Sequence, residues 1–444
     1  MSRYNRKKHR NTIKLLVVAA ENVCSLQEEG KVQEVLLLLV DCQDVAIALG
    51  THIEKLYGLG TQTVAVLESY CECLYQVSES MDKTSVEEFI HATHQIQEVY
   101  DAEFPDKKDV VFLPYNASMW DSMESVWKAA DADEVCEAYV IPIPYYDLDE
   151  HRNFIEKHYE GDLYPSNVPI TSYEAYDLEL HHPDVIIIHN PYDEGNQVTS
   201  IAPEFYCSRI KDFTEKLVYI PYFVLPEISP DNQTSIDKIK HFCYLPGTIY
   251  ADRVIVQSED MRQIYINEYL KAATLTGEYI TRKELEERIL GLGSPKFDKV
   301  AETQEEELQV PSEWLKVIEK PDGSWKKIVF YNTSIAAFLN GNEQMLIKIK
   351  NVLQTFKENQ DEIALLWRPH PLMMQTIESM RNDLRETYLE IVQQYREEGW
   401  GIYDDSVDMD RAIVLSDAYY GDPSSIVQLY QKTGKPIMIQ NIEV

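Results

Sequence analysis

The 444-residue chain has few basic residues, few glycines and no long apolar run. Its 41 Lys and Arg stand against 75 Asp and Glu, a net charge of −34, which excludes general attraction to nucleic-acid phosphates. No stretch approaches the roughly 20 apolar residues that span a bilayer. The apolar run at residues 13–20 contains Lys14 and leads to no small-residue cleavage site, which excludes a secretory signal. We therefore expect a cytoplasmic protein with no nucleic-acid partner.

Motifs for metals and common cofactors are also missing. Seven cysteines occur, none with metal-ligand spacing, which predicts reduced thiols. Neither a G-x-x-x-x-G-K-[ST] loop nor a G-x-G-x-x-G turn is present. Asp147-Leu148-Asp149 spells the D-x-D of metal-dependent glycosyltransferases, but in a chain with 75 carboxylates an ordinary acidic loop is favoured. We expect no metal and no cofactor.

The first ten residues contrast with the acidic remainder of the chain. Residues 3–10 contain five basic side chains: Arg3, Arg6, Lys7, Lys8 and Arg10. Two interpretations stay open, a frayed, solvated terminus or peripheral contact with an anionic membrane surface.

Proline usage divides the chain. Residues 12–100 contain no proline and place apolar residues at helical spacing, as in Val64, Leu67 and Leu74, which predicts an all-helical module over 1–104. This module is also a candidate for homo-oligomerisation.

From Pro105 onward, short apolar runs alternate with helical stretches, which predicts parallel sheets with right-handed crossovers. The expected fold class is α/β, with two tandem Rossmann-like domains at 105–300 and 326–444 and a polar linker at 301–325. Ligands of such sheets bind beyond the carboxyl ends of the strands.

Pro-Tyr pairs follow four predicted strands of the first domain. Proline ends strand pairing, so the tyrosines are expected at the rim of the sheet, where aromatic rings and polar groups suit a polyol or sugar acceptor. The predicted acceptor residues are Tyr115, Asn116, Tyr145, Tyr192 and Tyr222. The alternative is that these tyrosines fill the sheet edge.

Two residues near these strand ends are candidate acid/base groups. His189 and Asp193 flank one of the Pro-Tyr pairs, and histidine is well suited to remove a hydroxyl proton near neutral pH. A purely structural role is the alternative for both.

The second domain predicts an anion site. Polar residues follow three of its strands, and the last of these strands leads into a helix N-terminus, which favours anions. The predicted donor-binding residues are Thr333, Ser334, Arg368, His370, Asp422, Ser424 and Ser425. Simple helix capping is the alternative for Asp422 and Ser424.

The order of motifs resembles a known family. Gly293-Ser294-Pro295-Lys296-Phe297-Asp298 is similar to a G-x-P-x-x-D segment, Arg368-Pro369-His370-Pro371 to R-x-H-P, and Ser416 through Ser425 to S-D-x-x-x-x-D-Y-S-S, which Gly434-Lys435-Pro436 completes as G-K-P. These motifs resemble those of the bacterial CDP-glycerol glycerophosphotransferases, the teichoic-acid polymerase family. The resemblance implies a GT-B fold, with His370, Ser424 and Ser425 facing the donor diphosphate and His370 among the catalytic residues.

The implied activity is transfer of glycerol phosphate, or a similar polyol phosphate, from a CDP-activated donor to a polyol-phosphate or lipid-linked acceptor in cell-wall or surface-polymer synthesis. Two alternatives remain. One is a nucleotide-sugar glycosyltransferase. The other is a catalytically degenerate GT-B protein that binds a nucleotide or glycan or serves as a scaffold, because the family's W-H-G segment has no counterpart in residues 218–227.

Overall fold

The computed structural model describes residues 1–302, 308–406 and 408–440. Part of the predicted linker, residues 303–307, and the last four residues of the second predicted domain lie outside the described residues. Within the described ranges every helix is too short or too polar to span a bilayer.

The chain begins with four long helices joined by short connections. They are α1 (Arg3–Glu28), α2 (Val32–Tyr57), α3 (Gln62–Ser80) and α4 (Lys83–Glu103). Ser2, Thr61 and Asp82 cap α1, α3 and α4 by accepting backbone N–H bonds, the role for which these residue types are favoured. The inward stripes form one apolar core centred on Val35, Phe89 and Ile96.

The basic N-terminal segment is anchored rather than frayed. The Met1 ammonium lies 3.2 Å from the Asp109 carboxylate, and the Ser2 hydroxyl donates to the carbonyl of His181 at 2.8 Å. Arg6 is buried and Arg10 pairs with Asp101 at 2.8 Å. Of the five basic residues predicted to be available to a membrane, Arg3, Lys7 and Lys8 are exposed.

A six-stranded parallel sheet follows, in the order β2-β1-β5-β7-β8-β9. The strands are β1 (Lys108–Leu113), β2 (Cys136–Val140), β5 (Val185–Ile188), β7 (Lys216–Tyr219), β8 (Arg253–Val256) and β9 (Ile289–Gly291). Its helices are α5 (Glu124–Asp131), α6 (Leu178–His181), α7 (Cys207–Ile210), α8 (Gln233–Ile239), α9 (Pro246–Tyr250), α10 (Glu259–Thr276) and α11 (Arg282–Arg288). A 3₁₀ helix, Ala117–Ser122, precedes α5.

A small antiparallel sheet extends from this domain. It consists of β3 (Tyr145–Leu148), β4 (Phe154–His158) and β6 (Thr199–Ile201), in the order β4-β3-β6. The sequence did not predict it, because β3 and β6 have at most four residues and β4 is exposed. Tyr145 therefore starts a strand instead of following one.

The second domain has a five-stranded parallel sheet, in the order β12-β11-β10-β13-β14. The strands are β10 (Lys327–Thr333), β11 (Ile363–Pro369), β12 (Ile402–Tyr403), β13 (Ala418–Gly421) and β14 (Ile437–Ile439). The helices that follow β9 are α12 (Pro295–Glu302), α13 (Ser312–Ile318), α14 (Ile335–Gly341), α15 (Glu343–Lys357), α16 (Met373–Met380), α17 (Arg385–Glu398), α18 (Met409–Leu415) and α19 (Ser425–Gln431).

The predicted fold class, two tandem Rossmann-like domains after an all-helical module, is confirmed. One predicted helix, 374–397, is split into α16 and α17 by a short 3₁₀ turn. The break follows Arg381, whose guanidinium reaches back to the Asn342 side chain and the Leu339 carbonyl. Asn382 and Asp383 come next, and both residue types favour turns over helix interiors.

Candidate functional site

A cleft of about 460 Å³ separates the two Rossmann-like domains. One wall contains Asn116, Tyr145 and Glu160, and the other contains Arg368, His370 and the start of α16. Asn116 follows β1, and Arg368 and His370 lie at the carboxyl end of β11, the edge at which parallel sheets bind ligands. Tyr145 starts β3 and Glu160 follows β4, so these two groups come from the small antiparallel sheet. Two Rossmann-like domains around such a cleft form the GT-B arrangement that the resemblance implied.

The first wall is organised by Glu160, which sequence reasoning missed. Its carboxylate accepts from the Tyr145 hydroxyl at 2.6 Å, the backbone N–H of Ala117 at 2.7 Å and the Asn116 amide at 3.2 Å. Since the segment before Glu160 is an irregular, exposed strand, no sequence pattern marked it. Of the predicted acceptor residues, Asn116 and Tyr145 border the cleft, although both side chains are largely buried.

The other predicted acceptor tyrosines pack in the core behind this wall. Tyr115 is buried, and Tyr192 and Tyr222 are half-buried. The rings of Tyr115 and Tyr222 meet the imidazole of His189 edge-on, at centroid distances of 5.4 and 5.8 Å. These contacts agree with the alternative that the tyrosines fill the sheet edge.

His189 is placed inside that aromatic cluster and has no exposed surface. Its Nε2 accepts the backbone N–H of Tyr115 at 3.1 Å, so Nδ1 carries the proton and donates to Ser122 Oγ at 2.9 Å. Burial lowers the pKa of His189 to about 3. With both nitrogens engaged, His189 has a structural role in this fold instead of the predicted acid/base role.

Asp193 is likewise directed into the protein. Its carboxylate accepts the backbone N–H groups of Cys207 at 2.7 Å and Ser208 at 3.4 Å, so it caps α7. Burial raises its pKa. The capping bonds account for Asp193 without the predicted acid/base function.

His370 is half-buried on the second wall. Its Nδ1 accepts the backbone N–H of Leu372 at 3.1 Å, which leaves the proton on Nε2. Burial, and secondarily the charge of Arg368, lowers its pKa to about 4. At neutral pH the imidazole is therefore uncharged, and Nε2 is a donor without a partner in the described part of the chain.

The start of α16 adds donors beside His370. The N-cap residue of this eight-residue helix, Leu372, makes no side-chain capping bond. The Met373 N–H is bonded to the His370 carbonyl at 2.9 Å, so the available donors are the other N–H groups of the first turn, which lack intrahelical partners. The positive end of its dipole favours an anion at this position. Together with His370, it is a candidate anion-binding element of the cleft.

Arg368 lines the cleft, but its charge is already balanced. The guanidinium is buried and lies 2.5 Å from the Asp404 carboxylate, with a further bond to the carbonyl of Ser406 at 2.7 Å. Arg368 therefore secures the loop after β12.

The remaining predicted donor residues form a network beneath the cleft. Asp422 is fully buried; it accepts the backbone N–H of Ser334 at 2.8 Å and pairs with Lys348 at 2.6 Å. Thr333 is buried and accepts from the Trp367 indole, and Ser334 caps α14. The structure does not bring these three side chains to the cleft.

Ser424 and Ser425 are half-buried at the start of α19. The Ser424 hydroxyl donates to Asn332 Oδ1 at 3.0 Å. The end of β13 requires glycine at position 421, since a Cβ there would lie 2.3 Å from the Asn332 carbonyl oxygen. The motif around Asp422 thus joins β13 to β10, and neither serine lines the cleft that contains His370.

A buried charge cluster joins the domains next to the cleft. Lys296, in the segment 293–298, forms an ion pair with Asp121, and Lys299 lies 2.8 Å from Glu124. Asp410 on α18 is buried against this cluster, and its Oδ1 has no hydrogen-bond partner among the described residues. Burial, with repulsion from Asp121, raises the pKa of Asp410 to about 7.

Replacing Asp410 by asparagine is expected to remove a pH dependence of stability. The folded protein holds a proton on Asp410 that the unfolded chain loses near pH 4, so this group's contribution to stability falls as pH rises from about 4 to about 7. The unfolding free energy of Asp410→Asn should exceed that of the wild type by an amount that grows across this window to a few kcal/mol.

Urea unfolding at several pH values measures this difference. Asp361→Asn, at an exposed position, is the control for removal of one negative charge. A difference between Asp410→Asn and wild type that stays constant from pH 4 to 7 would contradict the assignment.

The chain matches no family model and no curated protein sequence. It is similar to solved structures at low identity. A Staphylococcus aureus MnaA–UDP co-structure is 14% identical over 75% of this chain and 78% of that chain, with a TM-score of 0.43. A Neisseria meningitidis UDP-GlcNAc 2-epimerase bound to UDP-GlcNAc is 10% identical over 74% and 82%, with a TM-score of 0.38. A variant of the wall teichoic acid polymerase TagF is 12% identical over 86% and 79%, with a TM-score of 0.41. Similarities of this size do not assign the chain to a family.

Proposed function

We propose that this protein is a GT-B-type transferase that binds a nucleotide-activated donor in the interdomain cleft. The observation that carries the proposal is the position of the cleft between the carboxyl ends of two parallel sheets, with neutral hydrogen-bond donors on one wall and polyol-compatible groups on the other.

The donor diphosphate is assigned to the second wall. His370 Nε2 and the first turn of α16 present N–H groups to the cleft, and these can bind phosphate oxygens and stabilise charge on a leaving nucleotide. These N–H donors are important for binding a diphosphate because the chain is strongly acidic and the Arg368 guanidinium is already paired with Asp404.

The acceptor is assigned to the first wall. This wall contains the Asn116 amide, the Tyr145 hydroxyl and the Tyr145 ring. Such a combination of polar and aromatic groups suits a polyol, which has both hydroxyls and C–H faces. Glu160 is the carboxylate on this wall and is our candidate to receive the proton of the attacking hydroxyl.

The donor we favour is a CDP-activated polyol such as CDP-glycerol, as the motif resemblance implies. The acceptor oxygen would attack the β-phosphorus, the bond from that phosphorus to the bridging oxygen would break, and CMP would leave. The acceptor would be a polyol phosphate or a lipid-linked polyol in surface-polymer synthesis. Membrane contact through Arg3, Lys7 and Lys8, and homo-oligomerisation through α1–α4, belong to the same proposal.

Nucleotide binding tests the proposal. CDP-glycerol is expected to raise the thermal unfolding midpoint by mass action and to release CMP when a polyol-phosphate acceptor is added. UDP-GlcNAc and CMP alone serve as comparison ligands. Turnover of UDP-GlcNAc in place of CDP-glycerol would replace the proposal by a nucleotide-sugar glycosyltransferase.

Binding without turnover would favour a degenerate GT-B protein, an alternative motivated by the structural placement of His189 and Asp193. The absence of any nucleotide-dependent stabilisation would exclude both enzymatic proposals.

A further inference from the structure

Three side chains with metal-ligand atoms meet on the small antiparallel sheet. Asp147 lies on β3, and Glu156 and His158 lie on β4; one ligand atom of each falls within 4.8 Å of the others. Glu156 and His158 are two residues apart and therefore share a face of the strand. The β3–β4 register shifts at Asp147, and such irregularities redirect a side chain.

Asp147 carries a ligand atom that the protein does not use. Its Oδ2 lies 2.8 Å from His158 Nε2, whereas Oδ1 is shielded from solvent and has no hydrogen-bond partner in the described ranges. Leaving a buried acceptor without a donor is unfavourable. A cation bound next to this oxygen would relieve that cost.

The spacing of the two bonded atoms fits a metal ion. Transition metals bind imidazole nitrogen and carboxylate oxygen at about 2.1 Å, and atoms 2.8 Å apart then subtend an angle of about 85° at the ion, close to that of an octahedral site. An ion can thus replace the shared proton with little movement. The Tyr145 ring stacks on His158 with centroids 5.0 Å apart and holds the imidazole plane.

We propose that Asp147, Glu156 and His158 bind one divalent transition-metal ion of the Mn²⁺ or Zn²⁺ type. One imidazole and two carboxylates form a mixed nitrogen and oxygen set, whereas Mg²⁺ and Ca²⁺ prefer oxygen alone. This site revises the expectation of no metal. It is not the D-x-D motif, because the Asp149 carboxylate instead accepts the N–H groups of His151 and Asn153 at 2.8 Å.

The site lies on the strand that leads to the cleft. β4 ends at His158, and Glu160 two residues later holds Tyr145 and Asn116. An ion that ties β3 to β4 would therefore stiffen the first wall. Binding itself does not depend on the proposed transferase activity.

Titration of the chelator-treated, full-length protein with MnCl₂ tests the site, with free Mn²⁺ followed by electron paramagnetic resonance. We expect one Mn²⁺ per chain, and an affinity about tenfold lower or worse in His158→Ala and Asp147→Asn. His151→Ala is the matched control, since His151 is exposed in the turn between the same strands, and it should bind as the wild type does. Affinity should fall as pH is lowered, because the ligands must lose protons.

Failure of the wild type to bind Mn²⁺, or equal affinity in wild type and His158→Ala, would overturn the proposal. Thermal unfolding in metal-free buffer shows whether each variant is folded. Should His158→Ala unfold, Glu156→Gln decides, since Glu156 is exposed and its substitution is expected to leave the fold intact. Weakened Mn²⁺ binding in Glu156→Gln supports the site, and unchanged binding overturns it.

Discussion

Replacing Lys348 by methionine is expected to lower the free energy of unfolding by about 3–5 kcal/mol. Lys348 on α15 is buried and pairs with the fully buried Asp422 at 2.6 Å. Without the ammonium group, the carboxylate stays in the core with the Ser334 N–H as its remaining donor among the described residues. An uncompensated buried charge is among the most destabilising single changes.

Urea unfolding followed by circular dichroism measures the loss. Lys350→Met is the matched control, since Lys350 is exposed on the same helix, and its effect should stay within about 0.5 kcal/mol. The double variant Lys348→Met with Asp422→Asn should recover part of the stability. A loss below 1 kcal/mol for Lys348→Met would contradict the structural role of Asp422.

Replacing His370 by alanine is expected to reduce turnover of the nucleotide donor by about 100-fold or more. The variant removes the Nε2–H donor on the cleft wall and also the Nδ1 acceptor of the Leu372 N–H. If this bond forms mainly with charge that develops on the leaving nucleotide, kcat falls more than the affinity for the donor. Measurements of kcat and KM with CDP-glycerol separate the two effects.

The pH dependence provides a further check. Because the pKa of His370 is lowered to about 4, its imidazole is already neutral above about pH 5, and it should contribute no pH dependence to kcat between pH 6 and 8. His370→Gln keeps a donor near the Nε2 position and should recover part of the rate. His94→Ala, at an exposed position on α4, is the control. Full activity in His370→Ala would remove His370 from the proposed site.

Much of the fold was predictable because it depends on local patterns. The strands of both parallel sheets consist of short apolar runs bounded by turn residues. These runs form strands in the structure with bounds shifted by at most three residues, and Ala418–Gly421 is unshifted. β4 is exposed and mixes Phe154 and Ile155 with charged residues, so it lacked such a signal, and its pairing with β3 depends on the surrounding tertiary structure.

The candidate site was predicted less well than the fold. Of the predicted site residues, Asn116, Tyr145, Arg368 and His370 line the cleft, although Tyr145 starts a strand instead of following one. The sequence could not distinguish a polar side chain that faces the cleft from one that faces the core, since both follow strands. The hydrogen bonds of His189 and Asp193 hold these side chains within the protein, whereas His370 bonds through Nδ1 and leaves Nε2 without a partner among the described residues.

The sequence alone determined the order of the helical module and the two α/β domains, because hydrophobic periodicity and proline placement act over short distances. Its acidic composition also excluded general nucleic-acid binding. The tertiary structure decided which charged side chains are paired within the protein and which could contact a ligand. Asp422 is neutralised by Lys348 and Arg368 by Asp404, partners 74 and 36 residues away. These pairings depend on the packing of distant segments, so the sequence pattern could not reveal that a neutral imidazole and a helix start supply the donors of the cleft.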